Sequence, residues 1–283
     1  RHFTFSGSTA ATKIIGITFY KGKRSSGDDG GSISIRGSNT KLEFINCVFD
    51  DNRVVNASNE YWSGGAIGIR DEAAPSFTGC TFKNNYVESS ESGVSAGAVF
   101  INSSYNQNDL ENTINFKQCK FISNYAKGKQ HTRGGAVLSY RNTLFENCLF
   151  VKNGAIAGYG QSSSTYESAH GGAIYSDGEQ GTSGITTVVV NCTFDSNYVE
   201  VLNNDEWSWT KGADIFYGGY NQNNQAIKYA YVFNSVITGS YFKGGSSRNS
   251  DADYKKDKVF YSDGEQTRIY VDYSTIEGSS GIS

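Results

Sequence analysis

Methionine is absent from these 283 residues, and proline occurs once. A complete gene product carries an initiator, so a chain that opens at Arg1 without one reads as a processed or trimmed piece. One proline beside 19 Tyr, 17 Phe and many Val, Ile and Thr favours strands over long helices. Long apolar runs are missing too. None approaches the roughly 18 residues that a membrane helix needs, and no signal peptide is visible, so no membrane insertion is expected. Positive charge is not in excess. Lys and Arg number 25 against 28 Asp and Glu, for a net charge of −3, which leaves no basic patch to call for nucleic acid. The five Cys are an odd number and show no Cys-x-x-Cys spacing, so they cannot all pair within the chain and give no zinc signal. A Gly-x-Ser-x-Gly elbow and a phosphate loop are also lacking. No cofactor is implied.

What is present is a repeat. Phe44-Ile-Asn-Cys47-Val-Phe49-Asp-Asp-Asn52 returns as Phe77 to Asn85, Phe116 to Asn124, Phe145 to Asn153 and Val189 to Asn197. An earlier copy keys on Ile17, and two later copies put Ser235 and Ser274 at the Cys position, which makes eight copies spaced by 29 to 44 residues. A second phrase precedes each full copy: Gly30-Gly-Ser-Ile33, Gly64-Gly-Ala-Ile67, Ala96-Gly-Ala-Val99, Gly134-Gly-Ala-Val137 and Gly171-Gly-Ala-Ile174. It decays to Gly212-Ala-Asp-Ile215 and then Lys258-Val-Phe260. A repeat of this length means a solenoid or a propeller. Cys80 and Phe82, two residues apart, share one face of a short strand, as do Ile67 and Ile69. No copy holds an amphipathic helix, and the hairpin dipeptides of a propeller are nearly absent. The expectation is one domain over residues 1–283, an all-β, right-handed parallel β-helix of about eight coils. The polar segments 53–63, 86–95, 125–133, 154–170 and 198–211 absorb the variable spacing and are expected as loops bulging from one corner.

Stacking turns repeats into columns. Cys47, Cys80, Cys119, Cys148 and Cys192 form one internal column with parallel Cβ vectors, which is poor disulfide geometry, and the Ser at 235 and 274 marks them as core filler. Asn52, Asn85, Asn124, Asn153 and Asn197 are expected to stack at a corner, bonding the turn and each other.

The pairing of Gly-Gly-Ala-Ile or -Val with Phe-x-x-Asn, as in Gly64 to Ile67 with Phe82 to Asn85 and Gly171 to Ile174 with Phe194 to Asn197, resembles the repeats of chlamydial polymorphic outer membrane proteins. The resemblance covers roughly residues 30 to 240. It implies an extracellular β-helix, since that family's passenger domains are surface-exposed adhesins and the repeat type occurs in large surface proteins of other bacteria and of algae. The family brings no catalytic motif to transfer. Its C-terminal barrel signature, alternating ten-residue strands with an aromatic terminus, does not occur in this sequence.

Catalysis on polysaccharides, which many β-helices perform, needs two carboxylates facing across a groove, or a base beside a cation held by several acids. The pairs Asp28-Asp29, Asp50-Asp51, Asp71-Glu72 and Asp205-Glu206 lie in loops or flanks, and no column collects three acids. Asp177 and Asp263 share a repeat position and suggest either a weak calcium site or turn caps. His131 and His170 sit in successive corner segments, either approaching each other or solvated.

One column is largely apolar and aromatic. If Ile67 and its equivalents point inward, the next residue points out, and that column reads Ser34, Gly68, Phe100, Leu138, Tyr175, Phe216, Tyr261. Three readings stay open: a protein partner docks there, a glycan stacks there, or the chain's own loops cover it. Trp62, Trp207 and Trp209, with Tyr61, Tyr159 and Tyr166, supply a second candidate surface or pin loops to the coil. Asn56, Asn102 and Asn191 head glycosylation sequons. The functional expectation is a non-enzymatic extracellular structural or adhesive module that contacts other proteins or self-assembles on a cell surface or appendage. The alternative is a polysaccharide-binding or polysaccharide-degrading β-helix.

Overall fold

The computed structural model describes residues 1–7, 9–25, 29–38, 40–55, 63–102, 113–160, 167–177, 186–202, 209–218, 228–243, 260–262 and 267–276. The chain winds as a parallel β-helix. One coil shows the plan: Val94–Ser95, Val99–Ile101, Ile114–Lys117, Lys120–Ile122 and Tyr125–Lys127 are its strands, and His131–Arg133 begins the next. Each strand pairs in parallel with its equivalents above and below. Three sheets have eight strands each, a fourth has seven, and a four-stranded sheet carries the segments that precede the Gly-Gly phrase. The pairing register follows the repeat, with Ile67 opposite Ile33 and Val99, Phe77 opposite Phe44 and Phe116, and Phe82 opposite Phe49 and Phe121.

The segments expected as corner loops are partly strands. Arg53–Val55, Tyr86–Glu88, Tyr125–Lys127, Gly154–Ala157 and Tyr198–Val201 build the seven-stranded sheet, and His131–Arg133, Ser168–His170 and Trp209–Lys211 lie in the four-stranded one. Their short alternating patterns, such as Tyr86-Val-Glu88 with only Val87 buried, are strand patterns hidden by polar outward residues.

The corners are backbone features. The residue before each Cys-column position is left-handed: Asn46, Gly79, Gln118, Asn147, Asn191 and Asn234 have φ between 47° and 64°. A second left-handed corner precedes each Asn-column position, at Asp51, Asn84, Ser123, Lys152 and Ser196. Asn and Gly tolerate this region best, which explains their share of these sites. In the Gly-Gly phrase the need is for space. A Cβ on Gly135 would collide with the carbonyl oxygen of Gly172 on the next coil.

The interior holds ring ladders. Phe19, Phe49, Phe82, Phe121, Phe150 and Phe194 stack with centroids 4.7–4.9 Å apart, and Phe44, Phe77, Phe116 and Phe145 form a second ladder at 4.9–5.1 Å. The two ladders meet edge to face, as at Phe116 and Phe121. The five Cys are free and buried between them. Each thiol donates to a carbonyl of the coil before it, as from Cys148 to Phe116 at 3.3 Å. At Cys148 the bond with Cys119 and burial outweigh the bond with Cys192 and push the thiol up to about 12. A protonated, enclosed thiol is a filler and a weak donor rather than a nucleophile.

The Asn column is a continuous ladder. The Nδ2 of Asn52 donates to Oδ1 of Asn85 at 2.9 Å, and the step repeats through Asn124, Asn153 and Asn197 at 2.9–3.0 Å. Each Nδ2 also donates to a Phe carbonyl of the previous coil, and each backbone N–H donates to the next Asn side chain. The ladder ends where Ser240 takes the Asn position. There Asn197 donates to Asp214 at 2.9 Å and Ser240 donates to its other oxygen at 2.6 Å. The change from Gly-Gly-Ala to Gly-Ala-Asp at 212–214 therefore caps the ladder. Burial pushes the Asp214 carboxyl up to about 7, against the pull of those two bonds.

Candidate functional site

The aromatic column exists in the predicted register. Gly68 pairs with Phe100, Phe100 with Leu138, Leu138 with Tyr175, Tyr175 with Phe216, and Phe216 with Tyr261. Its expected exposure does not. Phe100 and Leu138 are 0% exposed, Phe216 is 2% and Tyr175 is 4%. They form a second apolar cluster with Ala96 and Tyr140. The sheet that carries them is therefore buried on both faces, and the column is no docking surface for a partner or a glycan. The side chain of Tyr261 lies outside the described residues.

The cover comes from the residue just before each Gly-Gly phrase. In the column these residues form, Asp29 lies against Gly68, Arg133 against Tyr175 and His170 against Phe216, all on the outer side of the stripe. A Cβ on Gly64 would stand 2.7 Å from the amide nitrogen of Phe100. The Arg133 guanidinium sits 5.3 Å from the Tyr175 ring centroid. His170 stacks on Phe216 at 4.7 Å with planes 6° apart. Arg70 lies 5.6 Å over Phe100. Tyr175 donates to Asp177 at 3.0 Å, so Asp177 closes a buried network. Asp263, its equivalent in the repeat, lies outside the described residues. Among the described residues no group of three or more His, Cys, Asp or Glu is placed to hold a metal.

His131 and His170 are strand residues rather than solvated loop residues. His131 bonds Ser168 at 2.7 Å, and Arg133 pairs in register with His170. Burial, then Arg133, Lys211 and His131, hold the His170 pKa well below its ordinary value, and burial lowers that of His131. His170 belongs to the cover, with its Nε2 enclosed.

The acid pairs are spread over separate surroundings. Asp29 is buried, with Arg1, Arg24 and Arg36 at 3.2, 3.3 and 2.5 Å from one carboxylate oxygen and Arg70 at 2.9 Å from the other. Asp50 pairs with Lys83 at 3.2 Å, and Asp51 with Arg53 at 3.5 Å.

The second candidate surface is only partly described. Trp62, Trp207, Tyr61, Tyr166 and Asn56 lie outside the described residues. Trp209 contributes backbone to the four-stranded sheet, opposite Ser168, and its side chain lies outside them too. Tyr159 has the Lys127 amine 4.1 Å above its ring, which ties it to the coil. Asn102 is half-buried and its N–H donates to Ile69. Asn191 is exposed at a left-handed corner.

A different surface was hidden among the polar segments. The position after each ladder Asn, and after Ser240, forms a neighbouring column: Arg53, Tyr86, Tyr125, Gly154, Tyr198, Tyr241. Tyr86 and Tyr125 stack at 4.9 Å, and Tyr198 and Tyr241 stack at 5.3 Å. Beside this column lies a groove of about 640 Å³ lined by Ser123, Tyr125, Lys152, Ser196, Tyr198, Glu200 and Tyr241. The dipeptide Asn-Tyr, repeated at 85, 124 and 197, was its sequence signal.

No family model, curated protein or solved structure matches this chain.

Proposed function

We propose that the chain is a non-enzymatic structural or adhesive module of a cell surface or appendage, contacting other proteins or copies of itself through the ends of its coil. What supports this reading is where large apolar side chains stay exposed. On the first coil they are Phe3, Ile15, Ile17 and Tyr20, at 45–59%, and on the last two they are Val236, Tyr241, Tyr270 and Tyr273, at 43–83%. Between them, among the described residues, Leu202 is the one large apolar side chain of this kind. Among the described residues the strands of the first coil and of the last have a sheet neighbour on one side only, and such an edge is a template for a further strand, from another molecule or from a further coil of the same chain. The extracellular setting rests on the resemblance of the repeat.

Light scattering over a concentration series tests it, with Ile17→Lys and Tyr273→Asp as variants at the two ends. The expected result is concentration-dependent association that either variant weakens while thermal unfolding stays near that of the unaltered chain. A chain that stays monomeric at every concentration and binds no surface protein would contradict it.

A further inference from the structure

We infer that the groove along the tyrosine column at Gly154 is a saccharide-binding site that takes a hexopyranose unit of a polysaccharide. The inference does not rest on the coil-end reading, since only Tyr241 is common to both surfaces.

The groove runs beside a column that lacks one ring. In the coils around it the position after the ladder Asn, and after Ser240, carries Tyr86, Tyr125, Tyr198 and Tyr241, and at Gly154 it carries nothing. The backbone does not ask for glycine here, because Gly154 is outside the left-handed region that Gly134 and Gly171 occupy. The Tyr198 ring leans over Gly154 and stands where a Cβ would go, so Gly154 is buried beneath it. The column is thereby divided into two stacked pairs, Tyr86 with Tyr125 and Tyr198 with Tyr241.

The two rims are polar. Ser123, Lys152 and Ser196 hold the left-handed corner on one side. Glu200 stands on the other side, held by Lys243 at 2.6 Å. Lys152 has no ion-pair partner among the described residues. Burial, then Tyr241 and Glu200, raise the Tyr198 phenol to about 12, so it stays a neutral hydroxyl. A pyranose matches this division. Its flat faces present C–H groups to aromatic rings, and its edge presents hydroxyls to donors and acceptors on both sides. About 640 Å³ lies within the range of small-molecule sites, and apolar walls with a few converging polar groups are their usual make-up. An aromatic side chain from a protein would use the rings and leave both polar rims unanswered.

Hexamers of β-1,4-glucose, α-1,4-glucose, β-1,4-mannose and α-1,4-galacturonate, titrated into the folded chain by calorimetry and by saturation-transfer NMR, test the site. At least one hexamer is expected to bind. Tyr125→Ala and Tyr198→Ala, which each remove one ring from the groove wall, are each expected to weaken it by about tenfold or more in a chain that still unfolds cooperatively. Should one variant fold poorly, the other carries the test. Absence of binding by all four hexamers, or equal binding by the unaltered chain and both variants, would overturn the site. Loss of association in the coil-end variants with sugar binding intact would separate the two readings.

Discussion

Two columns run side by side through the middle coils, one residue apart in the chain. The Asn column is buried and unbroken from Asn52 to Asn197, and where it stops Asp214 and Ser240 complete its hydrogen bonds. The Tyr column beside it faces out and is broken at Gly154. The difference teaches where the repeat is obligatory. Inside, each amide satisfies groups on both neighbouring coils, so one omission orphans buried donors and acceptors. Outside, water satisfies whatever a missing side chain leaves, so the column is free to carry a groove.

The aromatic column through Leu138 belongs with the buried columns, and that placement gives the largest expected effect. Leu138→Ala should cost about 2–5 kcal/mol in denaturant unfolding, the range for a core truncation. A cost near zero would restore an exposed stripe and with it the sequence-based expectation. Asn153→Ala comes next. It removes the partner of the Asn124 N–H and side chain and leaves the Phe121 carbonyl unpaired. A loss of about 2–3 kcal/mol is expected, against about 1 kcal/mol for Tyr198→Ala in the same assay, where one ring stack is lost.

The smallest net effect is with pH, because two groups pull oppositely. Asp214 titrates near 7 when folded and from 3.8 when unfolded. The folded chain holds the extra proton, so this contribution is complete below about pH 4 and is lost as pH rises through 7. His170 has a depressed folded pKa, so its contribution is present above the ordinary value of 6.5 and is lost as pH falls. Asp214→Asn keeps an acceptor for Asn197 and removes the first slope. Stability of that variant, followed by thermal unfolding from pH 8 to pH 5, should fall steadily on acidification and should exceed that of the unaltered chain at pH 8. An unchanged profile would mean that Asp214 is ionised in the fold.

Much of the fold was legible because the repeat is written in residues that only stacking explains. Phe82 two residues after Cys80, and Asn85 three after Phe82, specify an inward pair and a corner in every full copy. The register of all four main columns was readable from that phrase. Three things were not. The seven-stranded sheet was hidden because Arg53–Val55, Tyr86–Glu88 and Tyr125–Lys127 bury one residue in three, too few to stand out from loop composition. The cover over Phe100, Leu138, Tyr175 and Phe216 was hidden because alternation alone says that a residue leaves the core, and says nothing of what lies on the other side. Its signal was the residue before Gly-Gly, where Arg133, His170 and Lys211 follow one another. The tyrosine groove was hidden for the same reason, since the Asn of each Asn-Tyr pair marks a corner and the Tyr beside it falls in a segment whose length varies from coil to coil.

Hydrogen exchange followed by mass spectrometry, at low and at high protein concentration, puts the division between coil body and coil ends to the most direct test. Amides of the middle coils, from Phe77 to Asn197 among the described residues, are predicted to exchange slowly at both concentrations. Those of the first coil and of the strands Val236–Thr238 and Thr267–Asp272 are predicted to exchange fast in dilute protein and to slow as the chains associate. End coils that exchange equally fast at both concentrations, while association protects the middle coils, would place the contacts on the sides of the solenoid and contradict the coil-end reading.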